Sequence, residues 1–200
     1  MPRGRPRKYD EDQVLTSAML LFWKKGLSAT SLDDLADAMQ MNRPSIYNAF
    51  GNKEDIYRRS LARVAAQLDA AMERLVQAQP DLKTGITEFF FQAIDVYQSD
   101  GLPLGCLMMC TAPSEAFSHP AIAEDLDALI QRVDDGFKVR IDRAQKEGAL
   151  PSTLKASMAA KMLQATLQSI ALRARAGESK QSLRRFSRYA VDTIFEVGDP

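Results

Sequence analysis

Four side chains close together in the first third of the chain, Arg43, Ser45, Tyr47 and Asn48, carry hydrogen-bonding groups suited to nucleic acid. A guanidinium can reach O6 and N7 of guanine together, and a carboxamide can pair with N6 and N7 of adenine. Arg43 is thus a candidate guanine reader and Asn48 a candidate adenine reader, with Ser45 and Tyr47 on bases or phosphates. Thr30, Ser31 and Lys53 bracket the set with two hydroxyls and an ammonium, groups that suit a phosphate backbone. Ahead of them, residues 1–8 carry Arg3, Arg5, Arg7 and Lys8 and no acid, which concentrates positive charge at one edge.

A second group of reactive types is Cys106 and Cys110, spaced i, i+4 in Gly105-Cys106-Leu107-Met108-Met109-Cys110, with His119 nearby in sequence. Three readings compete: buried structural thiols, a sensor of oxidants or electrophiles, and a soft-metal site. Sensing needs a thiolate stabilised by nearby cations, which this segment lacks, so structural thiols lead and no metal or cofactor is expected. A disulfide inside one helical turn is disfavoured because the two Cβ vectors run parallel. Catalysis finds little support. The chain has one His, and it lacks a metal-binding H-E-x-x-H, a Walker loop and a G-x-S-x-G elbow.

For the candidate readers to act together, a helix must carry them. Leu32, Leu35, Ala36 and Met39 repeat at helical spacing, and Ile46, Ala49 and Phe50 start a second apolar face after Asn42 and Pro44. Ser31 with Asp34 has the spacing of a capping box, Asn42 can cap the second helix, and Pro44 fits its first turn. The pattern is a helix-turn-helix in which Arg43, Ser45, Tyr47 and Asn48 face outward while Ile46, Ala49 and Phe50 face in. A helix over 10–25 with Val14, Leu15, Ala18, Leu21 and Phe22 on one side packs behind it, and Trp23, the single tryptophan, is expected in a core or at a domain junction.

The segment from Thr30 to Lys53 resembles the DNA-binding domain of the tetracycline-repressor (TetR) family. The resemblance is carried by Thr30-Ser31-Leu32 to Ala36, by Ser45-Ile46-Tyr47 to Phe50, and by Lys53-Glu54, which stand as the family's T-S-L-x-x-[IL]-A, [ST]-[LI]-Y-x-x-F and K-E elements. Two positions depart from the pattern. Gln40 stands where the family usually has Gly in the turn, and Pro44 where Gly is frequent. A side chain at a positive-φ turn position costs about 1 kcal/mol. Arg3-Gly4-Arg5-Pro6 resembles an AT-hook, a peptide of the A·T-rich minor groove; the alternative is a solvated tail touching phosphates non-specifically.

Beyond Asn52 the pattern is helical throughout, so the expected fold class is all-α: a three-helix N-terminal domain and a C-terminal helical bundle. A fourth helix keeps its period to about Ala78, and some 25 residues reach roughly 37 Å, enough to link two domains. Further helices are expected around Ile86–Tyr97, 104–117, 120–148, 152–176 and from 178 through Val197. The expected division is a basic arm (1–9), a DNA-binding domain (10–53) and an effector-binding and dimerisation domain (54–200). Met158, Met162, Ala165, Ser169 and Leu172 form one stripe and Phe186, Tyr189, Ala190, Thr193 and Ile194 another; both could bury inside a monomer. The family resemblance implies instead that they pair with a second copy, giving a homodimer on a palindromic double-stranded operator. It also implies an unknown small-molecule effector, with Phe89, Phe90, Tyr97, Cys106, Met108, Met109, Phe117 and Met162 as candidate pocket residues, although aromatics and methionines at helical spacing are more often core. The alternatives are an architectural DNA-binding protein without an effector and a thiol-based redox or electrophile sensor using Cys106 and Cys110.

With 26 basic and 26 acidic residues the net charge is zero, and 46% of residues are hydrophobic, the composition of a globular chain. No apolar segment follows the basic N-terminus and no run of 18 apolar residues occurs, so a cytoplasmic protein with no membrane partner is expected.

Overall fold

The computed structural model describes residues 9–196, apart from the side chain of Asp100. Arg3, Arg5, Arg7 and Lys8 of the basic arm, and Val197 of the last expected helix, lie outside the described residues. The described residues are helical and divide into two compact units that meet between Arg63 and Val64, inside one helix.

The first unit contains α1 (Glu11–Lys25), α2 (Leu32–Met39), α3 (Arg43–Phe50) and the start of α4 (Lys53–Ala71). Each of these helices begins at a side chain that takes up free backbone N–H groups. The Asp10 carboxylate accepts from Asp12 N and Gln13 N, Ser31 and Asp34 complete a capping box, and the Asn42 carboxamide oxygen accepts from Ser45 N at 2.9 Å. Asn52 and Asp55 exchange reciprocal bonds of 2.9 and 2.8 Å at the start of α4. Helices of eight residues are too short to persist alone, so packing completes what capping starts. Leu35, Ile46, Phe50, Ile56 and Leu61 are fully buried, and the Phe22 ring meets Tyr57 edge-on at 5.2 Å. Trp23 is buried with them. Because Ile56, Tyr57, Ser60 and Leu61 of α4 are buried, the unit extends beyond residue 53, where a boundary between functions was expected.

In the second unit α4 widens into a π-helical segment, Met72–Gln77, closed by the bond from Ala78 N to Glu73 O. The sequence predicts continuous helix here and gives no sign of the wider turn. Polar side chains from α7 (Pro120–Lys146) hold it: Arg140, 2% exposed, donates through Nε to Val76 O and through Nη2 to Gln79 O and Pro80 O, and Arg143 donates to Gln77 O. Gly85, on α5 (Leu82–Tyr97), and Gly136, on α7, sit where an added Cβ would meet the Leu75 carbonyl and the Met72 side chain respectively. α6 (Leu107–Glu115) is short and carries Pro113. α8 (Ala156–Arg175) packs on α7 and α9 (Lys180–Glu196) on α5, around the Phe89, Phe90 and Phe137 rings, the first and last meeting edge-on at 5.6 Å. The eighth helix starts four residues later than 152, since residues 151–155 form turns. No helix among the described residues is long and apolar enough to cross a membrane.

Candidate nucleic-acid interface

Two short helices joined by a left-handed residue form a helix-turn-helix. Gln40 adopts φ 51°, ψ 42°, the one positive-φ residue other than glycine among the described residues, so the turn keeps its shape where a glycine would relieve it. Gln40 N donates to Asp37 O and Met41 N to Ala36 O, which ends α2 and directs the chain into α3. At the far end Gly51 (φ 84°) stops α3, the Arg59 guanidinium donates to Ala49 O at 3.4 Å, and it lies over the Phe50 ring at 5.6 Å.

α3 seats Ile46 and Phe50 in the core and presents Arg43, Tyr47 and Asn48 to solvent, Tyr47 being 49% exposed. Ser45 is half-buried, with its N–H given to Asn42. Arg43 reaches back to α2, its Nε 2.9 Å from Asp33 Oδ1 and its Nη2 bonded to the same oxygen. That carboxylate raises the arginine further above its ordinary range. The ammonium of Lys25, the last residue of α1, lies 2.7 Å from Asp34 Oδ1 on α2 and is the main cause that holds the Asp34 carboxyl well below the usual range; the N–H and hydroxyl of Ser31 add to it.

Two expected phosphate ligands have other work. Thr30 is 1% exposed and donates its hydroxyl to Gly26 O at 2.6 Å, so its burial removes it from a backbone clamp. Lys53 Nζ donates to Leu27 O at 3.0 Å and Thr30 O at 2.8 Å, fastening α4 to the α1–α2 turn. Ser31 is exposed, at the N-terminus of α2. Asp33 and Arg59 were not apparent from sequence, because their partners lie ten residues away along the chain and only the turn brings them together.

The candidate pocket residues of the second unit do not line one space. Phe89, Phe90, Tyr97, Cys106 and Met108 are buried and Met109 is half-buried. Phe117 is 99% exposed, because α6 ends at Glu115 and leaves its ring on the following turn, so it is not a pocket wall here. Met162 is exposed and borders a surface cleft of about 270 Å³ with Met158, Leu154 and Ile194. Cys106 precedes the first turn of α6 and Cys110 lies within it; burial pushes both thiols up, and the Tyr97 phenol beside Cys106 is raised by the same cause. Both cysteines are therefore protonated at neutral pH. On α8, Met158, Met162, Ala165 and Leu172 are exposed, Leu172 to 65%, with Ser169 half-buried; on α9 Tyr189 is exposed, Phe186, Ala190 and Thr193 half-buried. Ile194 is 4% exposed in the single chain and lines the same cleft as Met158 and Met162.

A capped helix pair with a polar outer face is the reading element of transcriptional regulators, and comparison with known proteins identifies which kind. The family profile of bacterial regulatory proteins of the tetR family matches residues 14–59, and that of the tetracyclin repressor-like C-terminal domain matches residues 82–190. The chain belongs to the TetR family, whose members are transcriptional regulators and not enzymes. Among individual proteins it is similar to the HTH-type transcriptional repressor ComR of Escherichia coli (strain K12), with 28% identity over 186 residues covering 92% of this chain and 89% of ComR. BdcR, another HTH-type transcriptional repressor of Escherichia coli (strain K12), is 27% identical over 123 residues, 62% of this chain and 60% of BdcR. The fold matches that of a cysteine mutant of the TetR family regulator CifR complexed with 26bp double-strand operator DNA, at a TM-score of 0.87 and 27% identity, covering 94% of this chain and 98% of that one.

Proposed function

We propose that the protein is a repressor that binds a palindromic operator as a homodimer and releases it when a small effector binds. The observation that carries this reading is α3, fixed at both ends and seated by Ile46 and Phe50, with Arg43, Tyr47 and Asn48 directed to solvent. A major groove admits such a helix, and two copies across a dyad reach successive grooves about 34 Å apart. DNA reading falls to residues 10–53 with the arm at 1–9, and effector binding and dimerisation to 54–200. Arg43, Tyr47 and Asn48 contact bases or phosphates, Ser45 supports them, and Ser31 meets the backbone.

The dimer is supported by the exposed apolar stripe of α8, which in water costs free energy that a second copy removes. The operator complex of the similar CifR supports a double-stranded DNA partner. For the effector the candidates are Phe89, Phe90, Tyr97, Cys106, Met108 and Met109, a set that favours a small and partly apolar molecule. Release follows in this reading from a tilt of α4 that changes the separation of the two α3 helices, a distance the operator fixes.

Selection of bound duplexes from random DNA tests the reading. The expected result is one inverted-repeat motif whose complex dissociates when cell extract carrying the effector is added. Equal affinity for all duplexes of the same A·T content would leave an architectural protein instead.

A further inference from the structure

Asp33 is an acid on a surface expected to approach a polyanion. It does not cap α2, because Ser31 and Asp34 fill that role. Its bond to Arg43 joins two solvent-exposed side chains, the kind of pair that contributes little to folding. As an acid in the first turn of α2, Asp33 interacts favourably with the helix dipole, but a carboxylate there also repels DNA, a cost that its pairing with Arg43 offsets.

A guanidinium has five N–H groups, and Asp33 Oδ1 occupies a single edge of it, taking Nε–H and one N–H of Nη2. The opposite end of the fork, one N–H each from Nη1 and Nη2, stays available. That end has the spacing of O6 and N7 of guanine. Bonded to Asp33, the side chain is biased toward this orientation over one that reaches a phosphate, and it gives up fewer rotamers when it meets a base. Arg43 is the first residue of α3, where recognition helices contact base edges.

We propose that Asp33 is the positioning residue for base reading by Arg43, restricting that arginine to one G·C pair in each half-site and withholding it from non-specific phosphate contacts. The inference rests on the operator-binding reading above.

The test uses the full chain and its Asp33→Ala and Asp33→Asn variants. Bound duplexes are selected for each protein, and affinities are measured by fluorescence anisotropy for the selected duplex, its single-base variants and an unrelated duplex. Asp33→Ala is expected to lose about tenfold or more of the preference for guanine at one position of each half-site, as expected for one bidentate contact. It should also bind the unrelated duplex more tightly, with an unchanged thermal midpoint. Asp33→Asn keeps an oxygen acceptor for Nε and should retain most of the preference. Unchanged discrimination at every position in Asp33→Ala overturns the inference, as does a loss spread evenly over all positions. A wild-type chain that selects no motif removes the operator reading itself, and the role of Asp33 with it.

Discussion

Tyr47 separates reading from stability at the level of one side chain. Its ring is 49% exposed on α3 while Ile46 and Phe50, its neighbours on the helix, are fully buried. Tyr47→Ala should therefore abolish operator selectivity and leave the thermal midpoint nearly unchanged; a large fall in that midpoint would place the ring in the core. Asp34 makes a different demand. Its folded-state pKa is lowered, first by Lys25 and then by Ser31, so the carboxylate contributes stability above the ordinary value of 3.8. That contribution is lost as pH falls through the lower folded-state value. The stability gap between the wild type and Asp34→Asn, measured by urea unfolding, should narrow steadily below pH 3.8 and stay constant from there to neutrality. A gap that widens with acid would contradict the assignment.

At the scale of elements, the turn between α2 and α3 stores strain in Gln40 (φ 51°). Glycine adopts this region without a Cβ clash but loses more entropy on folding, so Gln40→Gly should stabilise by a net of about 0.5 to 1 kcal/mol in denaturant unfolding. The sequence made this turn legible because Ser31, Asp34, Asn42 and Pro44 each have one favoured helical position, and their spacings agree. The second helix and the exposure of Arg43, Tyr47 and Asn48 followed from the same signals, while Ser45, expected outside with them, is half-buried. Contacts that join distant parts of the chain were not legible: Lys53 reaches Leu27 O and Thr30 O from 26 and 23 residues away, and Arg140 reaches Val76 O in the π segment from 64 residues later. Phe117 shows the limit of periodicity, since spacing alone does not say that α6 stops two residues short of it.

For the whole molecule the composition was a poor guide, because a net charge of zero conceals a basic first segment. The all-α class was legible from helical spacing along the full length, as was the stripe on α8, but spacing left open whether that stripe buries inside the monomer and only the family resemblance pointed it outward. How far a stripe is exposed depends on how the bundle closes: on α9 Tyr189 is exposed while Ile194 is buried in the single chain. Leu172, 65% exposed, offers the direct test. Leu172→Arg should shift the protein to a monomer in sedimentation velocity and weaken operator binding, with the far-ultraviolet circular dichroism unchanged. A variant that remains dimeric would move the interface off this face.

The bonds from Lys53 to Leu27 O and Thr30 O reach from the first residue of α4 to the turn that opens α2. They tie the reading helices to their support at a point remote from Arg43, Tyr47 and Asn48. With eight residues each, α2 and α3 have little persistence of their own. Their buried amide hydrogens should therefore exchange with deuterium at a common rate, one set by the opening of the entire first unit. Lys53→Met should accelerate them together, so that the head of the regulator opens as a block and not helix by helix.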